Sequence, residues 1–97
     1  MIDSAKDRDG NTLYVGSEVR IVGEPDLSML PKSDELRSRD VFAYILGSYR
    51  RVVAFDARGL VELEFRIMKG RLKGHHFVWI EPSLLKLRAA RSRRTLG

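Results

Sequence analysis

The chain has 97 residues, of which 43% are hydrophobic and 32% are charged, and it contains no cysteine. A chain of this size forms one small domain without room for a deep enclosed active site, and its composition is too apolar for a wholly disordered protein. The missing cysteines exclude disulfides, thiolate metal ligands and cysteine nucleophiles, and we expect a cytoplasmic protein without a membrane-spanning segment.

The formal net charge of +5 is unevenly distributed along the chain. Residues 1–40 contain six Lys or Arg and nine Asp or Glu, a net charge of −3, whereas residues 41–97 contain twelve and four, a net charge of +8. Four of these twelve cations lie in the last ten residues, so residues 1–87 carry only +1. The second half therefore supplies the positive potential toward a partner, and the body of the domain is close to neutral.

The first half of the chain predicts one strand and a long connection. Residues 1–12 are polar and predict either a flexible N-terminus or a turn into a first strand, before a single domain at 13–88. In that domain Gly16 marks a turn, and Val19 and Ile21 share one face of a strand. The connection over residues 24–43 is predicted to hold one short helix, from about residue 34 to about residue 42, because two acids would occupy its first turn. The sequence leaves open how much of this connection is helix or loop.

The middle of the chain predicts a β-hairpin. In residues 59–67 apolar side chains alternate strictly with Glu62, Glu64 and Arg66, which indicates a half-buried strand. Residues 56–59 have the Asp and Gly of a tight turn, so this strand pairs with a preceding strand at 44–55, in which Gly47 marks a bend or bulge.

The rest of the chain predicts two more strands. Residues 75–80 follow a Gly-containing loop and form a strand, residues 81–85 form a single helical turn with Pro near its start, and residues 86–88 close the domain with a short strand. Residues 89–97 predict a disordered basic tail.

Five short strands with one long first connection indicate a mainly β domain that removes its edges by closing into a small barrel. The segment Gly16-Ser17-Glu18-Val19-Arg20-Ile21-Val22 resembles the opening strand of Src-homology-3-like barrels, such as KOW-type ribosomal and transcription-factor domains and accessory barrels of electron-transfer enzymes. The resemblance implies a five-stranded Src-homology-3-like barrel over residues 13–88. KOW-type domains reach their second strand through a short loop, unlike this chain, so no functional residue is transferred.

A basic cluster is the first candidate site. Its cations lie on both arms of the hairpin and on the following loop, where they would attract phosphates or carboxylates. The alternative is a solvated surface on which Glu62 and Glu64 pair with the arginines across the hairpin. The candidates are Arg50, Arg51, Arg66, Lys69, Arg71, Lys73 and His75.

Aromatic side chains are the second candidate. Trp79, the only Trp of the chain, either completes the core, which we favour in so small a domain, or anchors a partner. For Tyr49 and Tyr44 the same two interpretations, core residue or anchor for a partner, stay open. In a docking hypothesis, the 24–43 connection and the 66–76 loop form the rims of a groove that these aromatics line.

The sequence contains no catalytic motif, so we predict that the protein is not an enzyme and uses no cofactor. His75 and His76 are successive residues of a strand and point to opposite faces, so they do not predict a metal site. We expect a non-catalytic binding module that docks on an acidic protein surface or on a larger complex. The alternative is nucleic-acid binding through the basic residues and the Arg-rich tail. The nearly neutral charge of residues 1–87 argues against this alternative.

Overall fold

A computed structural model describes residues 3–27 and 32–88, with no account of the side chains of residues 32–37. The predicted disordered tail, residues 89–97, lies outside the described residues. The described part contains seven strands, one α-helix and one turn of 3₁₀ helix. These are β1 (Ser4–Lys6), β2 (Thr12–Tyr14), β3 (Glu18–Ile21), α1 (Lys32–Ile45), β4 (Tyr49–Phe55), β5 (Val61–Ile67), β6 (Gly74–Ile80), the 3₁₀ turn Pro82–Leu84 and β7 (Leu85–Leu87).

The main sheet is antiparallel and has the strand order β6-β5-β4-β3-β7. Strands β3 to β6 follow one another as a meander, and β7 returns after the 3₁₀ turn to pair with β3. The prediction of a mainly β domain with one helix in its first long connection is thus confirmed. No ladder joins β6 to β7 within the described residues, so closure of the sheet into a barrel stays a prediction.

The central hairpin forms as predicted, with a correction to its first arm. In β5 the alternating apolar side chains are buried, and the turn before it is held by Asp56, whose Oδ1 accepts the N–H groups of Arg58 and Leu60, each at 2.9 Å. Burial would raise the pKa of Asp56, but these hydrogen bonds and the Arg58 guanidinium outweigh it and lower the pKa. The irregularity in β4 lies at Val53, where the register with β5 shifts, and not at Gly47.

Helix α1 extends further than the sequence predicted, from Lys32 to Ile45, and it includes the start of the segment expected to be a strand. Phe42 and Ile45 lie one turn apart and are both buried, which holds the helix on the sheet. Gly47 ends it with a φ of 83°, a conformation that favours glycine, and its N–H donates to the carbonyl of Ile21 at 2.8 Å. Strand β4 therefore starts only at Tyr49.

The N-terminal residues, predicted to be flexible, contain a strand that pairs with β2 in a small hairpin. Asp7, which is only 5% exposed, holds this hairpin against the main sheet. Its carboxylate accepts the N–H groups of Asp9 and Asn11, each at 2.8 Å, and the N–H of Leu87 in β7 at 2.7 Å. The polar composition of this segment does not reveal a carboxylate that satisfies backbone donors, so strand β1 could not be predicted from it.

One hydrophobic core lies between the inner face of the sheet, α1 and β2. Among the described residues, no helix is long and apolar enough to span a membrane. The buried core side chains are Leu13, Val19, Ile21, Val41, Phe42, Ile45, Val52, Val61, Leu63, Phe65, Ile67, Val78, Ile80 and Leu85.

Candidate binding surface

The predicted site residues divide among three places. Five of them project from the outer face of the sheet, away from the core, because they occupy the positions that alternate with buried ones. Three lie in the turn between β5 and β6, and Arg50 projects to the inner side. The outer-face residues are Tyr49, Arg51, Arg66, His75 and Trp79, and the turn residues are Lys69, Arg71 and Lys73.

Arg50 is separated from the other arginines by the sheet itself. It pairs with Val19 in the β3–β4 ladder, and its guanidinium carbon lies 4.9 Å from the centre of the Phe65 ring. The Nε of Arg50 donates to the hydroxyl of Ser48 at 3.1 Å. Successive strand residues face opposite sides, so Arg50 and Arg51 cannot belong to one continuous positive face.

Acidic side chains interrupt the outer face. In the ladders Arg51 lies between Glu18 on β3 and Glu64 on β5, directly opposite each. Glu64 also contacts His75, with Oε2 of Glu64 2.5 Å from Nε2 of His75. Glu18 accepts a hydrogen bond from Arg88 at 2.9 Å. Carboxylates thus lie opposite Arg51 on both neighbouring strands, the arrangement that cross-strand pairing with Glu64 requires, whereas Glu62 lies opposite Ala54 and Trp79 and no arginine.

The end of β5 and the turn that follows it carry four cations. Arg71 forms an ion pair with Asp40 of α1, with its Nη2 2.6 Å from Oδ2, which links the turn to the helix. Arg66, Lys69 and Lys73 form no ion pair with any residue in the described part of the chain. These three side chains, which we call the cationic end, lie around the start of β6.

An aromatic row runs along the outer face of β6. Phe77 is 49% exposed and Trp79 is 47% exposed, and the ring of His75 lies 4.9 Å from the ring of Phe77, centre to centre. The expectation that Trp79 completes the core is wrong, because Val78 and Ile80 occupy the inward positions of this strand. Phe77 was not singled out from the sequence, although its spacing of two residues from Trp79 places both on one face.

A groove borders β6. It has a volume of about 420 Å³ and is formed by the segment 25–27, α1, β6 with the following Glu81, and the turn before β5, from which Arg58 and Leu60 line it. A second cavity of about 140 Å³ shares four of its lining residues and continues along the same strand toward His76. The shared residues are Ser38, Phe42, Phe77 and Val78.

The hypothesis of a groove with a rim from the 24–43 connection agrees with this geometry in part. Trp79 lines the groove, but Tyr44 and Tyr49 do not. Tyr49 projects from β4 beneath Arg88, whose guanidinium carbon lies 4.7 Å from the centre of its ring. The aromatic anchor beside Trp79 is thus Phe77.

The described residues contain no group of three or more His, Asp and Glu side chains that could hold a metal ion. His75 faces Glu64 on the outer side, whereas Nε2 of His76 lies 2.7 Å from the carbonyl of Leu72 and its ring stacks on Phe65. The side chains of the two histidines therefore lie on opposite faces of β6.

Comparisons of the chain with models of known protein families, with curated proteins and with solved structures give no match.

Proposed function

We propose that the protein is a non-catalytic binding module that docks on an acidic segment of a partner protein. The observation that carries the proposal is the pair of half-exposed aromatics, Phe77 and Trp79, on an edge strand that borders an apolar groove. Large aromatic side chains are the commonest anchors of protein interfaces, and exposing two of them side by side on so small a domain requires an explanation.

The cationic end supplies the charge preference. Arg66, Lys69 and Lys73 form no ion pair with any residue of 3–27 or 32–88, so a partner carboxylate placed there meets cations that are not already paired with an acid of the domain. Each such surface pair contributes about 0.2–1 kcal/mol, and steering by the three together favours an acidic partner over a basic one.

The proposed fold is a small barrel of the Src-homology-3-like kind. The meander of four strands, the 3₁₀ turn before the last strand and the return of β7 to β3 support it. In this arrangement the groove lies on the flank of the barrel, between the last meander strand and the helix of the first connection.

Nucleic-acid binding is the second candidate, because cations and exposed aromatics stand on one face. Against it, Glu64 lies opposite Phe77 and Glu62 lies opposite Trp79 in the β5–β6 ladder. A phosphate backbone that stacked its bases on the aromatic row would lie close to both carboxylates. A peptide can instead place apolar side chains beside the acids and its own acids only at the cationic end.

Selection from a random twelve-residue peptide library on the immobilised full chain tests the proposal. We expect enriched peptides to carry more Asp and Glu than Lys and Arg, to bind with a Kd of about 1–100 µM, and to shift the emission of Trp79, the only Trp of the chain. Phe77→Ser should weaken them at least tenfold.

Tyr49→Ser is the matched control, because Tyr49 is 45% exposed on the same outer face but lies outside the groove. It should leave peptide binding unchanged. Failure to enrich peptides over the Phe77→Ser variant, or enrichment of basic peptides, would count against the proposal. Binding of a twenty-nucleotide oligouridine that falls steeply with salt and is lost in Lys69→Ala would favour the nucleic-acid alternative.

A further inference from the structure

The two edge strands of the main sheet, β7 and β6, differ in how far other segments cover their outer sides. At the outer side of β7, the N–H of Leu87 donates to the Asp7 carboxylate at 2.7 Å, and the carbonyl of Leu85 accepts the N–H of Arg8 at 3.0 Å. β7 is also short and carries Lys86 at its centre. Short length, a charged side chain and a covering segment are the usual means by which proteins prevent an edge strand from pairing with another chain.

The opposite edge, β6, is neither short nor charged, and no backbone hydrogen bond from another segment of 3–27 or 32–88 covers its outer side. It has seven residues, Gly74–Ile80, with no Lys, Arg, Asp, Glu or Pro, and its register with β5 is continuous over all seven pairs. No strand within 3–27 or 32–88 pairs with its other side. A long, regular, uncharged and aromatic edge strand is a template for a further strand.

We infer that the acidic partner segment binds as an added β-strand on the free edge of β6, between this strand and helix α1. The inference rests on the proposed function and specifies its geometry. Main-chain hydrogen bonds to β6 supply affinity that depends little on sequence, and the alternate side chains of the added strand supply specificity.

The groove fits one added strand. Side chains of the added strand that point inward enter the cavity of about 420 Å³ against Phe42 and Leu27, and those that point outward extend the aromatic row beside Phe77 and Trp79. The partner segment should therefore have apolar residues at every second position for the groove, like the strands of the domain itself.

Charge sets the register of the added strand. The cationic end surrounds the start of β6, whereas Glu81, which is exposed, follows directly after its last residue. The acids of the partner segment thus lie beside Lys69 and Lys73, and its apolar residues lie along the groove.

A second copy of the chain fits this edge less well. The segment 25–27 and α1 form the inner wall of the groove, with Ser38 and Phe42 close to β6. If two copies paired through their β6 strands about a twofold axis, both walls would lie on the same inner side and compete for the space above the junction. A single extended segment brings no such wall.

The test uses the tightest acidic peptide from the selection described above, bound to the full chain. Methylation of single backbone nitrogens along the peptide removes one donor at a time without changing a side chain. We expect at least a tenfold loss of affinity at every second position and little effect at the positions between. Alternating β6 amides of the protein should show at least tenfold slower hydrogen exchange in the complex, while amides of β7 should not change.

The outcomes separate the two claims. If peptides bind and Phe77→Ser weakens them, but N-methylation has no alternating effect and exchange in β6 is unchanged, strand addition is wrong and docking through side chains remains. If no acidic peptide is enriched, the proposed function fails as well. A concentration-dependent dimer in sedimentation that protects the same β6 amides without peptide would assign the edge to a second copy and overturn the inference.

Discussion

At the scale of single residues, Asp7 shows how one carboxylate determines the path of a terminal segment. It is almost removed from water, yet it accepts backbone N–H groups from two neighbours and from Leu87, eighty positions along the chain. Burial would raise the pKa of Asp7, but the hydrogen bonds from Leu87, Asn11 and Asp9 outweigh it and hold the pKa below its ordinary value. The ionised form is therefore the one the fold stabilises.

Replacing Asp7 should destabilise the domain. Asp7→Ala removes the acceptor of three backbone donors, and we expect a loss of about 2–4 kcal/mol in the free energy of unfolding, measured by urea denaturation. Asp9→Ala is the matched control, because the Asp9 carboxylate is exposed and lies 4.0 Å from the Nζ of Lys86. It should change stability by less than about 0.5 kcal/mol. Equal losses in both variants would show that Asp7 has no special role.

The backbone hydrogen bonds to the Asp7 carboxylate also make the stability that this side chain contributes depend on pH. The folded-state pKa of Asp7 lies below the ordinary value of 3.8, so the contribution of its carboxylate is complete above about pH 5 and is lost as the pH falls through the folded-state value. The stability gap between the wild type and Asp7→Asn should narrow as the pH is lowered from 6 to 2. Asp56, whose pKa is also lowered, is present in both proteins and cancels in this comparison.

At the scale of elements, the sequence predicted what alternation and turn chemistry determine locally. Strand β5 and the Asp56 turn are confirmed, because a period of two and an Asp-to-Gly turn leave few alternatives. The end of α1 was placed too early because residues 44–48 contain β-favouring side chains. Tertiary burial of Ile45 overrides that propensity.

The surface was less predictable than the strands. Alternation predicts that either Phe77 and Trp79 or Val78 and Ile80 face outward from β6. Which pair does so depends on the register with β5, and this register places Val78 opposite Leu63 in the core. Trp79 was therefore assigned to the wrong side. Alternation alone predicts that Arg50 and Arg51 point in opposite directions. The ion pair between Arg71 and Asp40 could not be predicted, because it joins segments that are distant in the sequence.

A neighbouring pair of substitutions tests the helical assignment of residues 44 and 45. Ile45 is fully buried and Tyr44 is 54% exposed, so Ile45→Ala should cost about 2–4 kcal/mol of unfolding free energy and Tyr44→Ala less than about 1 kcal/mol. Urea denaturation of the two variants measures both values. The reverse order would mean that Tyr44 faces inward, as it would if β4 extended back through residues 44–48, because position 44 would then share a face with buried Val52.

At the scale of the whole molecule, the N-terminal hairpin covers one edge of the main sheet, and no strand of the described residues pairs with the other edge. The N-terminal hairpin covers β7 through contacts from Asp7 and Arg8. Strand β6, at the other edge, borders the apolar groove. On the outer face Arg51 lies opposite two glutamates, whereas the cationic end at the start of β6 forms no ion pair among the described residues. Edge, groove and charge thus coincide at one flank of the domain, and this coincidence favours a partner segment over a purely electrostatic ligand.

Native-state hydrogen exchange should show whether the N-terminal hairpin opens as a unit separate from the sheet. In the wild type the N–H groups of Arg8 and Leu87 are bonded across the β7 edge, while those of Val52 and Ile21 bond within the sheet, to Ser17 and Ser48. In Asp7→Ala we expect Arg8 and Leu87 to lose nearly all protection, whereas Val52 and Ile21 keep the protection that the remaining global stability allows. Acceleration of all four amides by one common factor would contradict this, because it would mean that the hairpin leaves β7 only when the whole sheet unfolds.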